Sequence, residues 1–306
     1  MTSPITVEWW AWVAVIAFIL AMLAVDLLFF HREAHEVSIR EAALWSGIWI
    51  GISLVFGGIV WATLGGHAAG EYISGYLIEK SLSVDNLFVF ALLLSYFSVP
   101  IEHQHRLLYW GVIGALMARA IFIFAGVALL DAFHWTIYVF GALLVITGAR
   151  MATHSDTEVH PDRNPVLNLL RRAMPITDEY HGQHFFVRRE GRRWATPLLA
   201  VLVVIETSDI IFAIDSIPAI FAITRNTFLV FTSNAFAILG LRALYFLLAG
   251  FLGRLKYLNV GLASVLVFVG IKMLLTDVFH IPIWASLLTI ASMIGVSVGF
   301  SLKRSS

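Results

Sequence analysis

The sequence predicts an all-α, polytopic transmembrane bundle of about nine helices, forming a single domain over residues 1–306. Three observations predict it. Of the 306 residues, 59% are hydrophobic and only 13% are charged; apolar runs of membrane-spanning length recur along the chain; and the basic residues alternate between the two sides of those runs. Soluble domains carry roughly a quarter charged residues, so an ordinary soluble enzyme is excluded. With Lys+Arg and Asp+Glu both at 20, no net field draws the chain to nucleic acid. The lack of cysteine excludes disulfides, thiolate metal sites and Cys nucleophiles. Any metal must therefore be held by oxygen or imidazole.

A hydrocarbon core takes about 20 apolar residues per helix. Segments of that kind run over 8–30, 42–64, 72–98, 107–130, 134–152, 195–222, 227–250, 257–276 and 281–301. Lys and Arg collect in cytoplasmic loops. Fifteen of the 20 fall after the first, third, fifth, seventh and ninth segments, Arg225 alone falls on the opposite side, and Lys80, Arg119, Arg242 and Lys272 lie inside segments. The alternation predicts an inner-membrane protein with its N-terminus outside and its C-terminus in the cytoplasm. Met1 to Glu8 carries no Lys or Arg, so the first segment reads as a retained span rather than a signal peptide. The long loop, 153–194, is cytoplasmic on this reading, with a short surface helix over 166–174. Its Arg188–Arg193 run reads as an anchor to anionic lipid.

Transporters are often built from two units of opposite orientation. Glu79-Lys-Ser in the third span answers Glu206-Thr-Ser in the sixth, Arg119-Ala answers Arg242-Ala, and Gly148-Ala-Arg150-Met answers Gly270-Ile-Lys272-Met. Glu206 follows Glu79 by 127 residues, Arg242 follows Arg119 by 123 and Lys272 follows Arg150 by 122. The near-constant offset predicts an inverted repeat, with 72–152 as one unit and 195–276 as the other. The bland alternative is that apolar helices share small-residue packing motifs.

Ionisable groups at bilayer depth are costly, about 2.5 to 3.5 kcal/mol each on insertion scales, and mark function by default. Six are acidic here: Asp26, Glu79, Asp85, Glu206, Asp209 and Asp215. Against the four basic ones they leave two negative charges over, which suits a divalent cation. Helical spacing puts Glu79 with Asn86 on one stripe and Glu206 with Asp209 on another. Pro218 removes a backbone donor and clashes one turn back, which predicts a helix break that turns Asp215 into the same cavity. Ser83, Ser208 and Asn234 offer neutral oxygens, and Asp26 is a further candidate. Such oxygen-rich ligands suit Mn²⁺, Mg²⁺ or Ca²⁺. Arg119 and Arg242 read as structural ion-pair partners of these acids.

The histidines say less. His31 and His35 are spaced i, i+4, but HREAH is not the HExxH zinc-protease pattern. His181 and His184, beside Asp178 and Glu179, read as solvated loop residues or as a cytoplasmic metal sensor. An intramembrane aspartyl protease also needs acids on two helices, but the G-x-G-D pattern is missing.

Several charged strings point further: FHREAHEVSIREAALWS, GYLIEKSLSVDNLFVFALL, RRWATPLLAVLVVIETSDIIFAIDSIPAIFAITRN and FTSNAFAILGLRALYFLLAG. In them the chain resembles the TerC family of bacterial membrane proteins, particularly its Alx-like branch, over almost its whole length. That resemblance implies export of Mn²⁺ from the cytoplasm and a family link to tellurium resistance. The family's acidic motifs match Glu79, Asp85, Asn86, Glu206, Asp209 and Asp215. No Walker-type motif is present, and moving two charges outward against 100 mV costs about 4.6 kcal/mol. The expected device is therefore a non-enzymatic secondary transporter driven by proton antiport, its partners being Mn²⁺ or another divalent cation, protons and the bilayer. The rival expectation is a non-transporting membrane scaffold or assembly factor in metal or tellurite stress.

Overall fold

The computed structural model describes residues 7–30, 39–133, 135–153, 165–189, 191–249, 258–279 and 281–304. It is an all-α membrane-type bundle with one small hairpin. The helices are α1 (Trp9–Phe30), α2 (Ile39–Leu64), α3 (Gly66–Tyr96), α4 (Ile101–Ala132), α5 (Thr136–Thr153), α6 (Pro165–Ala173), α7 (Pro197–Phe221), α8 (Thr227–Leu239), α9 (Leu241–Ala249), α10 (Leu258–Leu274) and α11 (Ile283–Arg304); β1 (Phe186–Arg189) and β2 (Arg192–Ala195) pair between α6 and α7. Among the described residues, five stretches are long and apolar enough to cross a membrane: Ile39–Leu64, Glu102–Ala132, Pro197–Phe221, Thr227–Leu247 and Ile283–Ser301; Trp9–Val25, Thr136–Ala152 and Val260–Leu274 are shorter apolar helices. The 31-residue α3 is too long for the second group, and it carries four charges, Glu71, Glu79, Lys80 and Asp85.

Each apolar segment of the sequence thus carries helix, with two corrections. Pro218 does not break its helix: α7 runs unbroken to Phe221 with the proline inside it. The proline lies in the last turn, where only one hydrogen bond is lost, and its own carbonyl accepts from the Ala222 amide at 3.1 Å. The break falls instead in the seventh segment, at Gly240 between α8 and α9. A Cβ at Gly240 would lie 2.9 Å from the Trp49 Cβ and 3.1 Å from the Lys80 Nζ. That ammonium donates to the Ala237 carbonyl at 3.1 Å, satisfying a group that a helix C-terminus leaves without a partner.

Packing follows polarity. α8 is enclosed on nearly every side, with Phe228, Leu229, Val230 and the run from Thr232 to Leu239 all buried. By contrast, Trp61, Ile121, Leu288 and Phe300 expose large apolar faces, as a surface solvated by lipid requires. α4 packs along α7, α3 along α8, and α5 along α10. In the last pair the glycines let the backbones touch. A Cβ on Gly148 would sit 2.8 Å from the Ala263 carbonyl oxygen and 2.8 Å from the Val267 Cγ2; on Gly270 it would sit 2.8 Å from the Gly141 carbonyl oxygen and 2.9 Å from the Val145 Cγ2.

At the end of the bundle that carries the α3–α4 turn, α6 and the segment to β2 form a cap. Leu167, Leu170, Ile176, Tyr180 and Phe185 join a core cluster with Leu107, Leu198 and Tyr245. The surface helix expected over 166–174 is α6. The arginine run forms the facing rungs Arg188↔Arg193 and Arg189↔Arg192 of the hairpin, turned at Gly191 with φ 76°, a conformation glycine adopts without penalty.

Candidate functional site

Charge is concentrated where α3, α4, α7 and α8 meet. Glu79 of α3 is fully buried, and Arg119 of α4, Asp209 of α7 and Asn234 of α8 are each at most 2% exposed. The Arg119 Nη1 donates to the Glu79 Oε1 and, at 3.0 Å, to the Ser216 hydroxyl. Its Nη2 reaches the Asp209 Oδ1 at 3.3 Å and its Nε the Asp209 Oδ2 at 3.5 Å. The second oxygen of Glu79 accepts from the Asn234 Nδ2 at 3.0 Å, while the Ser83 hydroxyl donates to Oε1 at 3.2 Å. A buried charge without a partner is strongly unfavourable. Here one guanidinium serves two carboxylates on different helices.

Of the sequence-derived candidates, Glu79, Asp209, Asn234 and Ser83 come together around Arg119. Asn86 is buried two turns along α3. Glu206 is half-buried one turn from Asp209, its carboxylate pressed against Gly114 of α4, where no side chain intervenes. The Ser208 hydroxyl is spent on its own helix, donating to the Val204 carbonyl at 2.9 Å. Arg242 is buried at the start of α9. Asp85 and Asp215 belong to α3 and α7, and Asp26 to α1, but their side chains lie outside the described residues, as do His31 and His35. Among the described residues no group of three or more His, Asp or Glu side chains is placed to hold a metal; His181 and His184 sit in the cap as loop residues.

The sequence reading missed two participants, Ser216 and Glu71. Ser216 lies beyond Asp215 on a helix expected to be broken there. Glu71 precedes the third apolar run, so it was not counted among the membrane acids, although it lies two turns before Glu79 on α3. It accepts from the Thr224 hydroxyl at 2.9 Å. Thr224 in turn receives the Asn226 amide at 3.1 Å, and the Asn226 carboxamide caps α8 by accepting from the Phe228 and Leu229 amides at 3.1 and 3.2 Å. Glu71, with His67, Asp131, Thr224 and Arg225, lines a cavity of about 660 Å³ at the end of the bundle opposite the cap.

The chain as a whole has relatives among known proteins. The model of the integral membrane protein TerC family matches residues 64–304. The chain belongs to the TerC family. Among TerC relatives, a protein of Myxococcus xanthus named "Uncharacterized membrane protein STKORF319" is 51% identical over 294 residues, 96% of this chain and 92% of the relative. The Salmonella typhi protein named "Putative membrane-bound redox modulator Alx" is 50% identical over 287 residues, 91% and 88% of the two chains. A Rickettsia bellii membrane protein is 35% identical over 294 residues, covering 96% of this chain and 97% of its own. No solved structure matches the chain. The TerC membership and this span of identity make it a multi-pass integral membrane protein with bacterial relatives.

Proposed function

We propose that the protein is a secondary transporter that exports Mn²⁺ from the cytoplasm in exchange for protons. The observation that carries this reading is the buried constellation of Glu79, Arg119, Asp209 and Asn234. Carboxylates held at membrane depth are expensive and mark ion paths, and these arise from two helices of matching sequence. Mn²⁺ takes oxygen ligands of this kind, and Asp85, Asp215, Glu206 and Asn86 complete the proposed set, with Ser83, Ser208 and Asp26 as further donors.

Two further features support the reading. Exchanging α3, α4 and α5 with α7, α8–α9 and α10 turns the pairings α4 with α7 and α3 with α8 into one another and returns α5 with α10 to itself, as an inverted repeat requires. In the orientation given by the arginine distribution, the 660 Å³ cavity opens outside and the cap closes the cytoplasmic end. A cation leaving the acid pair would then pass Glu71 on its way out.

The relatives' naming as redox modulators favours a second reading, a membrane factor that alters redox balance without moving ions. With no cysteine in the chain, such a factor could not work by thiol–disulfide exchange of its own. Mn²⁺ flux into and out of proteoliposomes separates the two. Flux by the native protein that follows an imposed pH gradient and vanishes in Asp215→Asn supports the exporter. Absence of flux from folded native protein under gradients of either sign overturns it.

A further inference from the structure

We propose that Arg119 is a resident counter-cation that occupies the cargo carboxylates and must leave them for the cation to bind. The proposal rests on the transport reading and assigns one residue of that path a specific task.

Both oxygens of Asp209 face one guanidinium, at 3.3 and 3.5 Å. Both oxygens of Glu79 are also taken, Oε1 by Arg119 and Ser83 and Oε2 by Asn234. A divalent cation bridging the same two residues would have to sit between them, where the guanidinium now lies. Charge leads to the same conclusion. The two carboxylates carry two negative charges, which a divalent ion neutralises alone. Adding it while the guanidinium stayed would set three positive charges against these two carboxylates in a fully buried site, which is strongly unfavourable. Cation and guanidinium therefore exclude each other. The same geometry explains why the fold tolerates two carboxylates at this depth: Arg119 stands in for the cargo and ties its own helix, α4, to α3 and α7.

The displaced guanidinium needs an acceptor within its reach. Glu206 lies one turn before Asp209 on the same face of α7, beside α4 at Gly114; while it holds the guanidinium it serves Arg119 in place of the cargo, which keeps Glu79, Asp209 and the other proposed donors. A shift of one turn along α7 would move Arg119 from the pair to Glu206, turning cargo binding into a change in how α4 and α7 are joined.

The test is Mn²⁺ affinity of the purified full chain in detergent micelles, measured by calorimetry for the native protein, Arg119→Lys and Arg119→Gln. An ammonium cannot span both carboxylates as a guanidinium does, and an amide carries no charge. Affinity should tighten by about tenfold in Arg119→Lys and further in Arg119→Gln, and Mn²⁺ should raise the thermal midpoint of each variant more than that of the native protein. A merely structural arginine would give the opposite sign, weaker binding in both. Equal or weaker binding by Arg119→Lys that elutes as the native protein does overturns the proposal and leaves the exporter standing; the lysine variant decides the matter where the glutamine variant does not fold. Absence of Mn²⁺ binding by both native protein and Arg119→Lys overturns the proposal together with the transport reading.

Discussion

Gly148 and Gly270 make the same contact from opposite sides of one interface. Gly148 faces the Ala263 carbonyl and Val267, and Gly270 faces the Gly141 carbonyl and Val145; adding 122 to Gly141, Val145 and Gly148 gives Ala263, Val267 and Gly270. The two helices therefore run antiparallel with their small residues at equivalent points. Small residues allow this close approach in membrane helices, where packing rather than water drives association. Gly148→Val and Gly270→Val should each destabilise the protein by about 1 to 3 kcal/mol, and by similar amounts, because they meet equivalent backbone. Gly58→Ala should leave stability unchanged or slightly raised, since nothing lies within 4 Å of a Cβ there. Thermal melts in detergent check this; tolerance of valine at either glycine would count against the tight α5–α10 contact.

Asn234 holds the oxygen of Glu79 that Arg119 leaves free, at 3.0 Å. Asn234→Ala removes one hydrogen bond to a charged acceptor, a loss of about 1.5 to 3 kcal/mol. Asn234→Asp keeps the shape and reverses the chemistry, placing another carboxylate against Glu79 in a fully buried site. It should be the more damaging change at neutral pH, costing about 3 to 5 kcal/mol. Denaturation curves for the two variants rank them. An aspartate variant as stable as the alanine one would mean that Glu79 does not carry its charge in the folded protein.

The helices were legible because burial in lipid writes itself into composition: a run of some twenty apolar residues has few alternatives to a helix. Glu79, Asp209 and Arg119 were legible for the same reason, as charges where charge is costly. What sits between the helices was harder to read. The guanidinium shared by Glu79 and Asp209 depends on one side chain of α4 reaching acids on two other helices, α3 and α7, which no spacing within one helix reveals. Pro218 pointed to a broken helix, but a proline in a last turn displaces little, whereas Gly240 gave no local signal because its reason lies on other helices, in Trp49 and Lys80. The β1–β2 hairpin escaped because its strands are four residues long and half arginine, although Gly191 marked the turn. Glu71 was passed over because it stands just before an apolar run.

The junction at Gly240 joins three elements and should behave as a unit. Lys80→Met leaves the Ala237 carbonyl without its donor, a cost of about 1 to 3 kcal/mol for a buried acceptor. Gly240→Val brings new atoms against Trp49 and the Lys80 ammonium, whose distances of 2.9 and 3.1 Å from a Cβ require one of them to move. Once the valine has displaced the ammonium, the methionine change has less left to remove, so the double variant should lose less than the two single losses combined. Strictly additive losses in thermal melts would show that Lys80 and Gly240 act separately.

The cap depends on a small number of polar ties to the helices it covers. The Tyr180 hydroxyl donates to the Phe97 carbonyl at 2.7 Å, just past the end of α3. Its burial raises the phenol pKa above the ordinary tyrosine value, so it stays protonated and able to donate throughout the neutral range. Tyr180→Phe keeps the ring beside His103 and removes that donor, a local loss of about 1 kcal/mol. The hairpin arginines, exposed at 188, 189, 192 and 193, are trypsin sites that become cleavable when the cap lifts. A local loss of that size should raise the open population, and with it the cleavage rate in the hairpin, by about fivefold, while the global thermal midpoint stays as in the native protein. Cleavage at the native rate would show that apolar packing of Leu167, Ile176 and Phe185 holds the cap without help from the tyrosine, and a fall in the global midpoint would show that the cap does not open independently of the bundle.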